Sequence, residues 1–154
     1  MRFMSLSQPW LWAITDLGRT IENPSLIVGP KRIENRSWQP PIAMIGQRVA
    51  LHAAKSFDHK ALAFFSRVGI DNYPARYDRY VSSALVAVAT IDRIVTEDRT
   101  LEIDQKPWFF GDFGWVLADM IPLVDVIPMK GAQGLRELAP DINTILLDQL
   151  RTIR

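Results

Sequence analysis

The chain has 154 residues, 48% of them hydrophobic and 23% charged, which fits one globular domain with a single core and excludes a disordered or fibrous chain. It contains no cysteine, so disulfides, thiol nucleophiles and cysteine metal sites are excluded, and a reducing, cytoplasmic setting is the expectation. A net charge of +1 argues against a protein that coats itself along phosphates, and no apolar run reaches the roughly 20 residues of a membrane span.

Phe3 to Leu6 reads as an opening strand, and Met1-Arg2-Phe3-Met4 lacks the apolar stretch of a signal peptide. Ser7 is a fair N-cap with Pro9 in the first helical turn, where a missing N–H does no harm. Trp10, Ile14 and Leu17 come next at helical spacing, and Gly18 ends the helix. Trp10 and Trp12 fall on different faces, and core packing is expected of Trp10. Residues 19–28 form a connection around Pro24, read as an insertion, in which Ile21-Glu22-Asn23 is a partial echo of Ile33-Glu34-Asn35.

The stretch Gly29-Pro30-Lys31-Arg32-Ile33-Glu34-Asn35-Arg36-Ser37-Trp38 brings three positive charges, a carboxylate and an indole together behind a Gly-Pro turn. From Arg32 onward, period-two alternation places Arg32, Glu34, Arg36 and Trp38 on one face of a strand. Unpaired charge is costly to bury, so this is a poor core face. It suits a polar, planar, anionic ligand, or else a solvated edge strand with cross-strand ion pairs. Lys31 has the opposite parity to Glu34 and Arg36, which predicts that it sits on the turn before regular pairing or beside a bulge. Lys31, Glu34 and Arg36 are expected to converge on one solvent-reaching cleft, joined by at least one residue from Lys130 to Gly134.

Gln39-Pro40-Pro41 makes a stiff turn, and the next strand runs from Arg48 to Ala54. Val49, Leu51 and Ala53 face one way; Ala50, His52 and Ala54 face the other. His52 is either ligand-facing or hydrogen-bonded at a rim. Asp58 caps a helix over His59 to Val68 with Leu62 and Phe65 buried. Asp71 to Tyr80 holds Tyr73, Tyr77 and Tyr80 with Arg76 and Arg79, a pattern that suits base clamping or a lid packed by its own rings. Ala84 to Val95 is a β-branched, apolar run that reads as a buried strand, and Thr100 to Gln105 is an acidic connection.

Trp108, Phe109, Phe110, Phe113 and Trp115 surround Gly111 and Gly114, which mark a bulge or a close backbone approach; most of these rings are expected in the core, with one left to stack on a ligand. Ile121 to Ile127 is a strand that Pro122 places at an edge. Lys130-Gly131-Ala132-Gln133-Gly134 is a turn able to offer backbone N–H groups to an anion, too short for a P-loop. A helix runs from Asp141, its wide stripe of Ile142, Ile145, Leu146, Leu147, Leu150 and Ile153 suited to packing on the domain or on a second copy. Strands outnumber helices and no βαβ rhythm recurs, so the class is α+β.

Charge is unevenly spread. Between Gly29 and Lys60 six basic residues (Lys31, Arg32, Arg36, Arg48, Lys55, Lys60) face two acidic ones (Glu34, Asp58), while Glu97, Asp98, Glu102 and Asp104 collect elsewhere. The pattern gives one basic face, or an ordinary solvated surface.

Gly29, Lys31, Glu34 and Arg36 fit the spacing G-x-K-x-x-E-x-R, which resembles the hallmark of the ASCH domain family, relatives of the PUA-like β-barrels. Ser7-Gln8-Pro9-Trp10, Leu51-His52-Ala53-Ala54-Lys55, Gly111-Asp112-Phe113-Gly114-Trp115 and Lys130-Gly131 agree in order, so the resemblance spans residues 3 to about 138. It implies a single domain over 1–154, a small mixed β-barrel with flanking helices, with helix 141–154 packed on it or used for dimerisation. It also implies a cleft for RNA or a nucleotide-like ligand. The candidate ligand-binding residues are Lys31, Glu34, Arg36, Trp38, His52, Lys55, Lys130 and Gly131, with no cofactor, metal or membrane expected.

Some small ASCH proteins are amidohydrolases acting on acylated cytidine with a lysine, a threonine nucleophile and a distant glutamate. Lys31 matches the lysine, Glu34 occupies the threonine slot, and the distant glutamate has no counterpart. Three readings are open: an RNA- or nucleotide-binding module; a hydrolase of a modified nucleoside or of RNA, with Lys31 and Glu34 as catalytic residues; and a protein-interaction domain. A homodimer is compatible with each.

Overall fold

A computed structural model describes residues 1–17 and 26–153. The expected helix end at Gly18 and most of the 19–28 connection, including the Ile21-Glu22-Asn23 echo, lie outside the described residues. The regular elements are β1 (Arg2–Gln8), α1 (Trp10–Thr15), β2 (Ile33–Arg36), β3 (Arg48–Phe57), α2 (Lys60–Arg67), β4 (Ala84–Val95), β5 (Phe113–Pro128), β6 (Arg136–Glu137) and α3 (Pro140–Thr152).

The six strands form one mixed sheet in the order β2-β5-β4-β3-β1-β6, with β1 parallel to β3 and the other pairs antiparallel. The class is α+β, but the expected barrel is corrected: the sheet is open, ending at β2 on one side and β6 on the other. The end strands are too short to close it. β6 pairs only with Arg2 and Phe3, and β2 spends its four residues on Phe113 to Val116. The free edge of β1 meets β2 through a side chain, Arg36 on the Ser5 carbonyl, in place of a backbone ladder.

Strand alternation builds a core on each face. Met4, Leu6, Val49, Leu51, Ala53, Ala87, Ala89 and Ile91 pack with Leu11 and Ile14 of α1. On the other face Phe3, Ala50, Leu85, Val88, Leu123 and Ile127 pack against Leu146 of α3. The α3 stripe is thus used on the sheet, with Ile142 and Leu150 at its margin, while Ile145 stays exposed. Gln149 clips α3 to β5 by donating to the Asp125 carbonyl and accepting from the Asp125 N–H.

A third cluster joins Trp12, Ala61, Phe65, Ile33 and Trp108, all buried, between the helices and the edge of the sheet. Here the core role expected of Trp10 falls mainly to Trp12, with Trp10 partly buried against the cluster. β1 runs on to Gln8, so α1 begins only at Trp10 and its N-terminal turn is capped by the Gln8 side chain on the Trp12 N–H (2.8 Å). That register buries Trp12 and leaves Trp10 half-exposed.

The Ile121 to Ile127 segment is continuous with the preceding aromatic stretch, forming one sixteen-residue strand. β2 covers only its first four residues, so Pro122 lies where β5 has a partner on one side alone and needs no second N–H. At Gly114 a Cβ would stand 2.9 to 3.1 Å from Phe109, Val95 and Ile33, so the glycine serves close packing of β2, β4 and β5.

The tyrosine-arginine loop packs on the third cluster and not on its own rings, with Tyr80 on Trp12 and Phe57 and with Tyr77 exposed. Tyr80 is buried with its hydroxyl donating to the Pro74 carbonyl (2.6 Å), Tyr73 lies on Phe65, and Arg76 pairs with Asp78. Burial, and secondarily Tyr73, push the Tyr80 phenol from 10.0 up to about 12. The fold favours the neutral phenol, so this stabilisation is complete below pH 10 and is lost as pH rises from 10 to about 12. Tyr80→Phe should cost about 1 kcal/mol at neutral pH. In urea titrations across the alkaline range it should also flatten the decline seen in the wild type.

Candidate functional site

The site forms where the motif turn enters β2. Trp108, fully buried, donates its indole N–H to the Gly29 carbonyl (3.0 Å), and its own carbonyl accepts from the Asn35 amide (2.9 Å). Gln105, also buried, donates to the Pro30 carbonyl (2.8 Å) and accepts from the Arg32 N–H (2.9 Å). The Lys31 N–H bonds to the Ala13 carbonyl of α1 (2.9 Å). Residues 29 to 35 are therefore clamped at both ends.

Lys31 precedes β2, and its side chain turns inward. It is 1% exposed and its ammonium donates to the Ile33 carbonyl and lies 3.5 Å from Glu34 Oε1. The other carboxylate oxygen pairs with Arg36 Nη2 at 3.0 Å, and the same nitrogen donates to the Ser5 carbonyl of β1 (2.9 Å). Glu34 thus bridges two cations, both of its oxygens engaged. Desolvation pulls the Lys31 pKa down from its ordinary value; Glu34 works against this and Arg36 adds to it. Arg36 Nε is buried and has no hydrogen-bond partner among the described residues.

These three side chains line an open cavity of about 320 Å³ between β1 and β2. Its other walls are Ser5, Leu6 and Ser7 of β1, Asn35, Trp10, Asp58 and Phe110. Trp10 donates its indole N–H to Asp58 Oδ2 (3.0 Å), which fixes the ring at the mouth. Phe110 meets Trp10 edge-on at 5.3 Å and is 51% exposed, leaving an aromatic surface open to solvent.

Other sequence candidates lie elsewhere. His52, Lys55, Lys130 and Gly131 line a second cavity on the far side of Ser5, so the Lys130 to Gly134 turn is a neighbour of the charged cleft and not its wall. His52 is buried and hydrogen-bonded at both nitrogens, to Ser5 Oγ (2.9 Å) and the Met129 carbonyl (2.8 Å). Trp38 joins neither cavity. β2 ends at Arg36, so the alternation that would align Trp38 with Glu34 stops short, and its ring packs edge-on over Trp115 at 4.9 Å. Arg32 also leaves the group, donating to the Ile14 and Lys31 carbonyls (2.9 and 2.8 Å).

Sequence reasoning did not reach Ser5, Ser7, Asn35, Asp58 and Trp10 as wall residues, nor Gln105 and Trp108 as clamps. The signal for Phe110 was partial: one ring of its cluster was expected to stay free. Among the described residues no group of three or more His, Asp or Glu is placed to hold a metal ion. No helix among them is long and apolar enough to cross a membrane.

No family model matches the chain, and no curated protein does. Solved structures do. The crystal structure of ASCH from Zymomonas mobilis superposes with a TM-score of 0.54 at 14% identity, over 96% of this chain and 93% of that one. A mutant form of the Zymomonas mobilis protein gives the same TM-score and identity over 96% of both chains. At that identity the likeness is one of architecture, and it runs nearly end to end: the chain has the ASCH fold.

Proposed function

We propose that the chain binds a nucleotide or RNA through the charged cavity between β1 and β2. The observation that carries this reading is the Lys31–Glu34–Arg36 row on one open cavity with the rings of Trp10 and Phe110. Two cations held by one carboxylate on the wall of a solvent-open cavity suit an oxygen-rich, anionic ligand. Glu34 holds both cations in place, and Phe110 with Trp10 offers the platform on which a base stacks. Lys31 and Arg36 share the cavity with two carboxylates, Glu34 and Asp58, so the ligand brings few phosphates and salt dependence is shallow, on the order of two contacts.

A thermal-shift screen of nucleosides and nucleotides followed by titration calorimetry tests this. Arg36→Ala should weaken the best ligand about tenfold or more, whereas Arg151→Ala on exposed α3 should leave it within about twofold. Equal losses at the two positions would mean diffuse attraction and overturn the reading. Binding of no nucleotide at all would leave a protein-interaction domain.

One observation favours a second reading, hydrolysis. A lysine whose pKa is lowered by burial holds more of the neutral amine, which takes protons or attacks carbonyl carbon. Single-turnover assays on an acylated nucleoside and on an RNA oligomer decide it. Cleavage by the wild type that Lys31→Met abolishes would make the chain an enzyme.

A further inference from the structure

The second cavity, of about 690 Å³, has apolar walls from Ala54, Met129 and Ala132, with Lys55 and Lys130 at its mouth. Both lysines are exposed, and among the described residues neither pairs with a carboxylate. The wall is preformed. His52 Nε2 donates to the Met129 carbonyl, which leaves Nδ1 to accept from the Ser5 hydroxyl, and the Ala132 N–H donates to Ser5 Oγ at 3.3 Å. A Cβ on Gly131 would stand 2.8 Å from both His52 Cε1 and Ser5 Oγ, so the turn lies this close over β1 and β3 only with glycine there.

Ser5 borders both cavities and is divided between them. Its carbonyl holds Arg36 in the first, and its hydroxyl holds the 129–132 turn of the second. The two spaces therefore abut across one residue of the free edge of β1. The first is small, charged and aromatic-walled; the second is larger and rimmed by uncommitted cations.

We propose that the two cavities are consecutive subsites of one extended site, whose ligand is a single strand of at least two nucleotides. The first cavity holds one unit and the phosphodiester crosses Ser5. The next unit then lies on Met129 and Ala132 with its phosphate within reach of Lys55 and Lys130. An apolar ligand would fill the walls and leave both ammonium groups unused; a nucleotide uses walls and rim together. The proposal rests on the nucleotide reading of the first cavity and extends it to a ligand class.

The test compares ribonucleoside 5′-monophosphates with 5′-phosphorylated dinucleotides by calorimetry, on wild type and on a Lys55→Ala, Lys130→Ala double variant. Both lysines are exposed, so the variant is expected to fold, and its thermal midpoint verifies this. In the wild type the best dinucleotide should bind about tenfold or more tighter than its mononucleotide. In the double variant that ratio should collapse to about threefold or less, and the extra salt dependence of the dinucleotide should fall by about one to two phosphate contacts. A wild-type dinucleotide no tighter than its mononucleotide overturns the extension and leaves the first-cavity reading standing. A ratio that survives the double substitution overturns it too. Failure of both ligands to bind removes both readings.

Discussion

Glu34→Gln should destabilise the fold by about 3 kcal/mol, because it leaves Lys31 and Arg36 as mostly buried cations without the carboxylate that bridges them. The amide keeps the shape and loses the charge. Lys31 is already held below its ordinary value of 10.5 by desolvation, and Glu34 is the group that opposes this. In the variant its pKa falls further. The folded state then resists the lysine's proton more than the unfolded chain does, so stability rises with pH through the lysine's titration. The Lys31 share of the deficit should shrink along that rise and vanish once wild-type Lys31 is also neutral, while the Arg36 share persists. Urea unfolding of both proteins over neutral to alkaline pH reads this directly, and a deficit below about 1 kcal/mol would show the row to be solvated. Ligand affinity should fall as well, by about 1.5–3 kcal/mol, since the cations lose their orienting partner. Turnover that disappears in the variant at unchanged affinity would instead make Glu34 a general base.

Trp108→Ala should cost about 3–5 kcal/mol, the range for removing a large buried ring. Trp108 is fully buried, with Phe64 at 5.3 Å and Trp10 and Phe65 each at 6.3 Å between ring centres. Its indole N–H also holds the Gly29 carbonyl, so its loss should loosen the approach of Lys31 to the cavity and reduce ligand affinity at temperatures where the variant is still folded, while the Asn35 amide keeps its bond to the residue 108 backbone carbonyl. Trp108→Phe separates the two effects. It retains most of the ring and gives up the N–H bond to Gly29, for which about 1 kcal/mol of stability is the expected loss. A fall in denaturant midpoint equivalent to less than about 1 kcal/mol for the alanine variant would mean that the third cluster re-closes around the gap.

What the sequence makes legible here is periodicity. Ala84 to Val95 as a strand, the helices after Asp58 and near Asp141, and the Lys31–Glu34–Arg36 grouping all come from spacing, helped by Asp58 on the Lys60 N–H, and such signals act over a few residues. Asp141 is not a cap, lying in the first turn behind Ala139. What escapes it is long-range. Gln105 and Trp108 reach the motif from 73 or more residues away, and no local pattern distinguishes a glutamine that caps a remote turn from one in solvent. The position of Trp38 depended on where β2 stops, and strand ends are set by the partner, here Phe113. The expected barrel failed for a related reason. Closure depends on the lengths of the first and last strands in spatial order, and β6 is only two residues long.

The four-residue β2 is also the margin of the sheet, and this gives its charges a second task. A margin with free backbone donors and acceptors recruits passing strands, and short length with guanidinium and carboxylate side chains is what keeps them off. Arg36 on β2, partly exposed and held by Glu34, therefore guards this margin as well as lining the cavity. Substitutions that silence the cavity by stripping those charges also disarm the margin. A neutralised motif would trade a lost ligand for an unwanted neighbour, another copy of the same chain laid strand against strand along β2.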